Sequence, residues 1–143
     1  MEQKNPSLIL REQHKNLVEM VTKIKEQAAQ DTPSAEEILK ELGVFKEALL
    51  GHLEIESKEF YPQLLEKLSQ SGKDVDKTKE FVGKMEGIAN QVVAFFETYN
   101  NTQKIDDNIE HFRKNLEKII DILSIRIEAE EDFVFTDWEY LVM

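Results

Sequence analysis

The sequence predicts an all-α fold, an up-down-up-down antiparallel four-helix bundle formed by residues 1–143 as one domain. Three observations carry that expectation. Only 5 Gly and 3 Pro occur in 143 residues, too few for a turn-rich β protein. Apolar residues recur at spacings of three and four through most of the chain, the period of an amphipathic helix. The breaks between periodic stretches are short, which makes successive helices antiparallel neighbours. Apolar residues are 41% of the chain and charged residues 33%, so it can bury a core instead of staying disordered.

Asn5 and Pro6 read as an N-cap followed by proline at the first helical position. Leu10, His14, Leu17, Val21 and Ile24 then form one face, with a histidine inside it. Gln30-Asp31-Thr32-Pro33 breaks the chain, and Glu36 and Glu37 suit the positive end of a second helix. That helix carries Ile38, Leu42, Phe45, Leu49, His52, Glu56 and Phe60 on its inner face. Pro62 predicts a kink, and Leu64, Leu65 and Leu68 carry the helix past it to a loop over residues 69–74. The third helix places Val82, Glu86, Ala89, Val93 and Phe96 inward, flanked by Met85, Val92 and Phe95, and ends at Tyr99-Asn100-Asn101-Thr102. The fourth runs from about Gln103 to Phe135, with Ile105, Ile109, Phe112, Leu116, Ile119, Leu123, Arg126 or Ile127, Glu130 and Val134 inward. Trp138 and Tyr140 follow in a tail expected to pack across one end of the bundle.

Two segments are near copies. One runs from His52 through Glu56 to Tyr61 and Pro62, the other from Arg126 through Glu130 to Phe135 and Thr136. A His-x3-Glu pair sits on one helix face, one turn apart, which is a metal-ligand arrangement. The second copy keeps the carboxylate and replaces the imidazole with a guanidinium, which does not normally bind metal. In all, six polar residues take inward positions on four helices: His14, His52, Glu56, Glu86, Arg126 and Glu130. An unpaired buried carboxylate costs several kcal/mol, so shared burial favours their convergence.

In this pattern the chain resembles the hemerythrin-like, His-His-Glu cation-binding family. The resemblance spans essentially the whole chain and is strongest over His52–Pro62. It implies a four-helix bundle around a non-haem di-iron centre, and it assigns His14, His52, Glu56 and Glu130 as metal ligands, with Glu131 as the alternative to Glu130. Glu86 stands where the family has its third-helix histidine, and Arg126 where it has its fourth-helix histidine. One iron's side is therefore kept and the other's lost. The expected cofactor is iron, with one ion favoured and two the alternative; manganese or zinc would also fit two imidazoles and two carboxylates, and a metal-free core is the rival. Glu86 remains a candidate ligand, or else the partner of an Arg126 whose charge replaces the second ion.

Charge counting does not decide between these. Protonated His14 and His52 with Arg126 balance Glu56, Glu86 and Glu130, and so does one divalent ion with neutral histidines and Arg126. The resemblance implies O2 or NO binding, redox sensing or iron handling. Reversible O2 binding as peroxide draws electrons from two irons, which a one-metal site lacks. The alternative function is a metal-free structural or protein-interaction module, and an oxidase or repair enzyme ranks last because no substrate is indicated.

The net charge of −11 disfavours nucleic acid and anionic membranes as partners. No cysteine is present, which excludes disulfides and thiolate chemistry. No signal peptide or spanning segment is visible, and the expected location is the cytoplasm. His111, beside Glu110 and Arg113, reads as a surface or bundle-end histidine. Tyr61 reads as a packing aromatic, and Glu128, Glu131 and Asp132 as a solvated face. No Gly-rich phosphate loop or Ser-His-Asp set is present.

Overall fold

The computed structural model describes residues 6–142, and every regular element among them is helical. Asn5, the expected first cap, lies outside the described residues. Helix α1 spans Pro6–Ala28 and α2 spans Ala35–Ile55, with Ser34 capping α2 by accepting the Glu37 N–H at 3.3 Å. Glu36 and Glu37 occupy the first turn of α2, where the helix dipole favours them.

Past α2 the chain stays helical through Pro62. It runs through one π-helical turn, π1 (Glu56–Phe60), directly into α3 (Tyr61–Gln70). In π1 the Tyr61 N–H bonds to the Glu56 carbonyl, five residues back. The extra residue is absorbed before proline, which then sits in the first turn of α3, where its missing N–H costs little.

Helix α4 spans Asp76–Thr98. Its buried side chains are Thr78, Phe81, Met85, Val92, Phe95 and Phe96. Val82, Ala89 and Val93 are half-buried and Glu86 is exposed, so the inward position expected for Glu86 is corrected. Two apolar stripes run side by side on this helix, and the one with the larger side chains faces the core because it removes more apolar area from water.

The single fourth helix expected from Gln103 is divided. Thr102–Asp107 forms α5, and Asn108 leaves helical geometry at φ −150° and ψ 69° before α6 (Ile109–Ala129) begins. Asn101 caps α5 and Asn108 caps α6, accepting the Lys104 and His111 N–H groups at 2.9 and 3.2 Å. Helix α6 continues through a second π turn, π2 (Glu130–Val134), into α7 (Phe135–Val142). The tail is thus helical. Trp138 packs edge-on to Phe60 at 5.4 Å, but Tyr140 is exposed.

Helix α1 packs on α2, α2 on α4, α4 on α6 and α6 on α1. Two apolar clusters fill the interior. One gathers Leu17, Phe45, Leu49, Phe95, Phe112 and Leu123, the other Leu10, Phe60, Tyr61, Phe81, Phe135 and Trp138. The buried polar residues lie where these clusters meet. His14 falls between Leu10 and Leu17, His52 between Leu49 and Phe60, and Glu130 between Leu123 and Val134. Among the described residues no helix is long and apolar enough to cross a membrane.

Candidate metal centre

Four side chains from four elements converge in that polar layer. Helix α1 supplies His14 and the last turn of α2 supplies His52. Glu56 opens π1 and Glu130 opens π2, so each carboxylate begins a widened turn. The Phe135 N–H bonds to the Glu130 carbonyl just as that of Tyr61 bonds to Glu56. One ligand-capable atom from each of the four lies within 4.8 Å of the others. All four side chains are buried, Glu56 completely.

Hydrogen bonds around the cluster fix which ring nitrogens point into it. His14 Nδ1 donates to a Glu131 carboxylate oxygen at 2.8 Å, because that oxygen can only accept. His52 Nδ1 donates to Gln13 Oε1 at 2.7 Å. In neutral rings this leaves both Nε2 atoms as lone-pair acceptors, and they face each other at 3.1 Å. His14 Nε2 is 2.9 Å from Glu130 Oε1 and His52 Nε2 is 3.3 Å from Glu56 Oε2. Tyr61 donates a short hydrogen bond to the other Glu130 oxygen. Phe135 stacks on the His14 ring at 5.3 Å.

The electrostatics follow from burial and crowding. Burial, reinforced by the charge on His14 and only partly offset by Glu130, brings His52 down to about 4. Burial and the adjoining Glu130 carboxylate push Glu56 well above the ordinary carboxylate range. Burial also acts upward on Glu130, but Glu56, His14 and Tyr61 outweigh it and leave Glu130 below its ordinary value. Burial, then the Glu56 and Glu130 charges, raise Tyr61, so its phenol stays a donor. His52 is therefore neutral near neutrality, and the upward shift of Glu56 removes a negative charge beside it, so the cluster carries less charge of both signs than the sequence suggested.

This donor set fits a divalent cation. Both Glu56 oxygens are buried and accept no hydrogen bond of ordinary geometry; the Glu130 carboxylate crowds them, and His52 Nε2 lies 3.3 Å away. Two carboxyl groups and two imidazole lone pairs packed this closely are costly to bury unless a proton or a cation lies between them. A cation relieves all of them together, and the Nδ1 partners orient the rings as outer-shell groups do in metal sites.

Of the residues marked in the sequence, His14, His52, Glu56 and Glu130 come together, and Glu86 and Arg126 do not join them. Glu86 points outward from α4. Arg126 is half-buried with its guanidinium 5.7 Å from the Phe81 ring centre, and it makes no ion pair with Glu86. Arg126 does line an enclosed, largely apolar cavity of about 30 Å³ that also touches His14, His52 and Glu130. His111 is exposed at the start of α6, as expected. Glu131 is more than part of a solvated face, since it holds His14.

Sequence reading did not find the supporting roles of Gln13, Glu131 and Phe135. Adjacency to His14 and Glu130 was the available signal for the first two. It also missed Arg11, which bonds Glu139 at 3.0 and 3.1 Å and the Glu131 carbonyl at 3.1 Å, tying α1 to α7 and π2.

Residues 5–137 match the family profile described as the hemerythrin HHE cation binding domain. No curated protein and no solved structure matches the chain.

Proposed function

The chain belongs to the hemerythrin HHE cation-binding domain family, and from that premise we propose that it binds one divalent metal ion, iron, through His14, His52, Glu56 and Glu130. The frame is an up-down-up-down antiparallel four-helix bundle in which α2, π1 and α3 form the second helix and α5 through α7 the fourth. The observation that carries the reading is the convergence of two Nε2 lone pairs and two carboxyl groups, all buried, with one ligand-capable atom of each within 4.8 Å of the others. Two imidazoles and two carboxylates suit Fe(II), and also Mn(II) or Zn(II). Among the described residues one group of this kind exists, and its composition supports one ion, not two.

A ferrous ion held by these four residues would supply a redox-active Lewis acid able to react with O2 or NO. The chain's own residues do the rest. Glu131 and Gln13 hold the imidazoles in the tautomer that presents Nε2. Tyr61 keeps its proton and anchors Glu130. Phe135 and the apolar walls exclude water. The enclosed cavity beside the cluster has room for a water or a diatomic molecule but not for an organic substrate. That suits O2, NO or redox sensing, or iron handling.

Metal analysis by mass spectrometry on tag-free protein tests the reading. One ion per chain is expected, lost in His52→Ala. Two ions per chain would refute the half-site. No ion after anaerobic incubation with ferrous iron would refute metal binding and leave a polar core serving a protein-interaction role.

A further inference from the structure

We propose that the groove between α2 and α4 is the path by which the cation reaches the centre, with Glu86 capturing it at the mouth and Glu56 receiving it inside. This rests on the metal-binding reading above. The groove has a volume of about 310 Å³. Glu54, Ser57 and Glu86 line it and are exposed, while Glu56 and Tyr61 line it and are buried. Glu56 therefore belongs both to the groove and to the four-residue cluster. Its carboxyl group, which accepts no hydrogen bond of ordinary geometry, stands at the inner end of the groove, where it can exchange its proton for an arriving ion.

Glu86 makes no ion pair among the described residues, although it is exposed and charged. Glu54 is held by Lys58 at 2.7 Å, so Glu86 is the acid at the mouth that is free to meet a cation. The Glu86 carboxylate thus gains a use that its absence from the cluster had left open.

The other approaches are poorly suited to a hydrated divalent ion. The outer edge of His14 is covered by Glu131 and by Phe135, and the Arg11 guanidinium lies 5.3 Å from the Phe135 ring centre. The outer edge of His52 is closed by Gln13. The enclosed cavity is apolar, of about 30 Å³, and carries Arg126 in its wall. A cation would have to shed its water there against a fixed positive charge. Negative charge and sufficient width coincide in the α2–α4 groove, and field lines between low-dielectric walls raise the local cation concentration.

Cobalt(II) loading of the metal-free protein, followed by stopped-flow absorbance at low and at raised ionic strength, tests the path. Glu86→Gln should slow association by about 3- to 10-fold at low ionic strength, and Glu86→Lys by more, with the difference shrinking as salt screens it. The cobalt bound at saturation should stay at the wild-type level in both. Glu19→Gln removes the same net charge from an exposed position on α1 outside the groove, and should load at the wild-type rate. Wild-type loading rates in both Glu86 variants would overturn the path and leave the metal site standing. Equal slowing by Glu19→Gln would also overturn it, since net charge alone would then account for the rate. Loss of saturation binding in Glu86→Gln would make Glu86 a ligand and not a path residue. An absence of any cobalt signal in the wild type would overturn the metal reading, and the path with it.

Discussion

Replacing Glu56 with Gln keeps the side chain's shape, removes its charge and separates two opposing titrations in the metal-free protein. His52 titrates at about 4 in the fold against an ordinary 6.5. As pH falls below 6.5 the unfolded chain takes a proton at His52 and the folded chain does not, so stability is lost progressively down to about pH 4. That displacement is worth about 3 kcal/mol in full, of which roughly 2 falls between pH 6.5 and pH 4.5. Glu56 acts in the opposite sense. Its folded value is raised well above 4.5, so the folded chain keeps a proton that the unfolded chain has lost, and stability falls as pH rises above 4.5. The two slopes oppose each other, so wild-type stability is expected to rise less between pH 4.5 and 6.5 than His52 alone would dictate. Burial is the first cause of the His52 shift, and Gln at position 56 can still donate to Glu130 through its amide, so Glu56→Gln keeps the histidine slope. The variant should therefore gain about 2 kcal/mol from pH 4.5 to 6.5 and lose nothing above that. Urea unfolding in the presence of a chelator, read by the fluorescence of buried Trp138, measures both curves. A Glu56→Gln curve that is level or descending over this window would show that His52 is not held neutral by burial.

Three further outcomes follow from the same geometry. Glu131→Gln should leave the fold intact and weaken metal binding by about 10- to 100-fold in a competition titration, because the His14 Nδ1–H loses its charged acceptor; unchanged affinity would mean that Glu131 does not set the ring. Pro62→Ala should change stability by less than about 1 kcal/mol and leave metal stoichiometry intact, since π2 forms with Thr136 in the corresponding place; loss of metal binding would tie the site to proline itself. Phe60→Ala should cost about 3–5 kcal/mol in urea unfolding, because the ring is fully buried against Tyr61, Phe135 and Trp138; a cost under about 1 kcal/mol would mean that the end cluster is not tightly packed.

The parts of the site that were legible in the sequence share one property: a single apolar stripe around them. His14 lies between Leu10 and Leu17, and His52 and Glu56 between Leu49 and Phe60, so the helical phase admits one orientation, and all of these residues are buried. Glu86 failed because α4 offers two adjacent stripes one residue apart, and periodicity alone ranks them equally. Side-chain size separates them, with Phe81 and Met85 outweighing Val82 and Ala89. The break at Asn108 was hidden for a related reason. Ile105, Ile109 and Phe112 keep the spacing across it, while the backbone there follows the cap that Asn108 makes with His111. The departures Glu86 and Arg126 were legible as residue types, but their places were not.

The π turns were written in the chain in a form that the α period conceals. In both copies a buried carboxylate is followed five residues later by a buried aromatic, Glu56 by Tyr61 and Glu130 by Phe135. Five residues on an α-helix advance about 500°, which turns the second side chain some 140° from the first. Both can face the interior only if the helix widens between them, and one extra residue per copy accomplishes this. The same insertion puts the carboxylate over the polar layer and the aromatic under it, where Tyr61 reaches Glu130 and Phe135 covers His14. The internal repeat is thus a repeat of a backbone device as much as of side chains. Arg126 occupies the ligand position of its copy without being a ligand, yet its copy retains the π turn. The carboxylate and the aromatic beneath it account for the turn in both places; a histidine one turn earlier is not required.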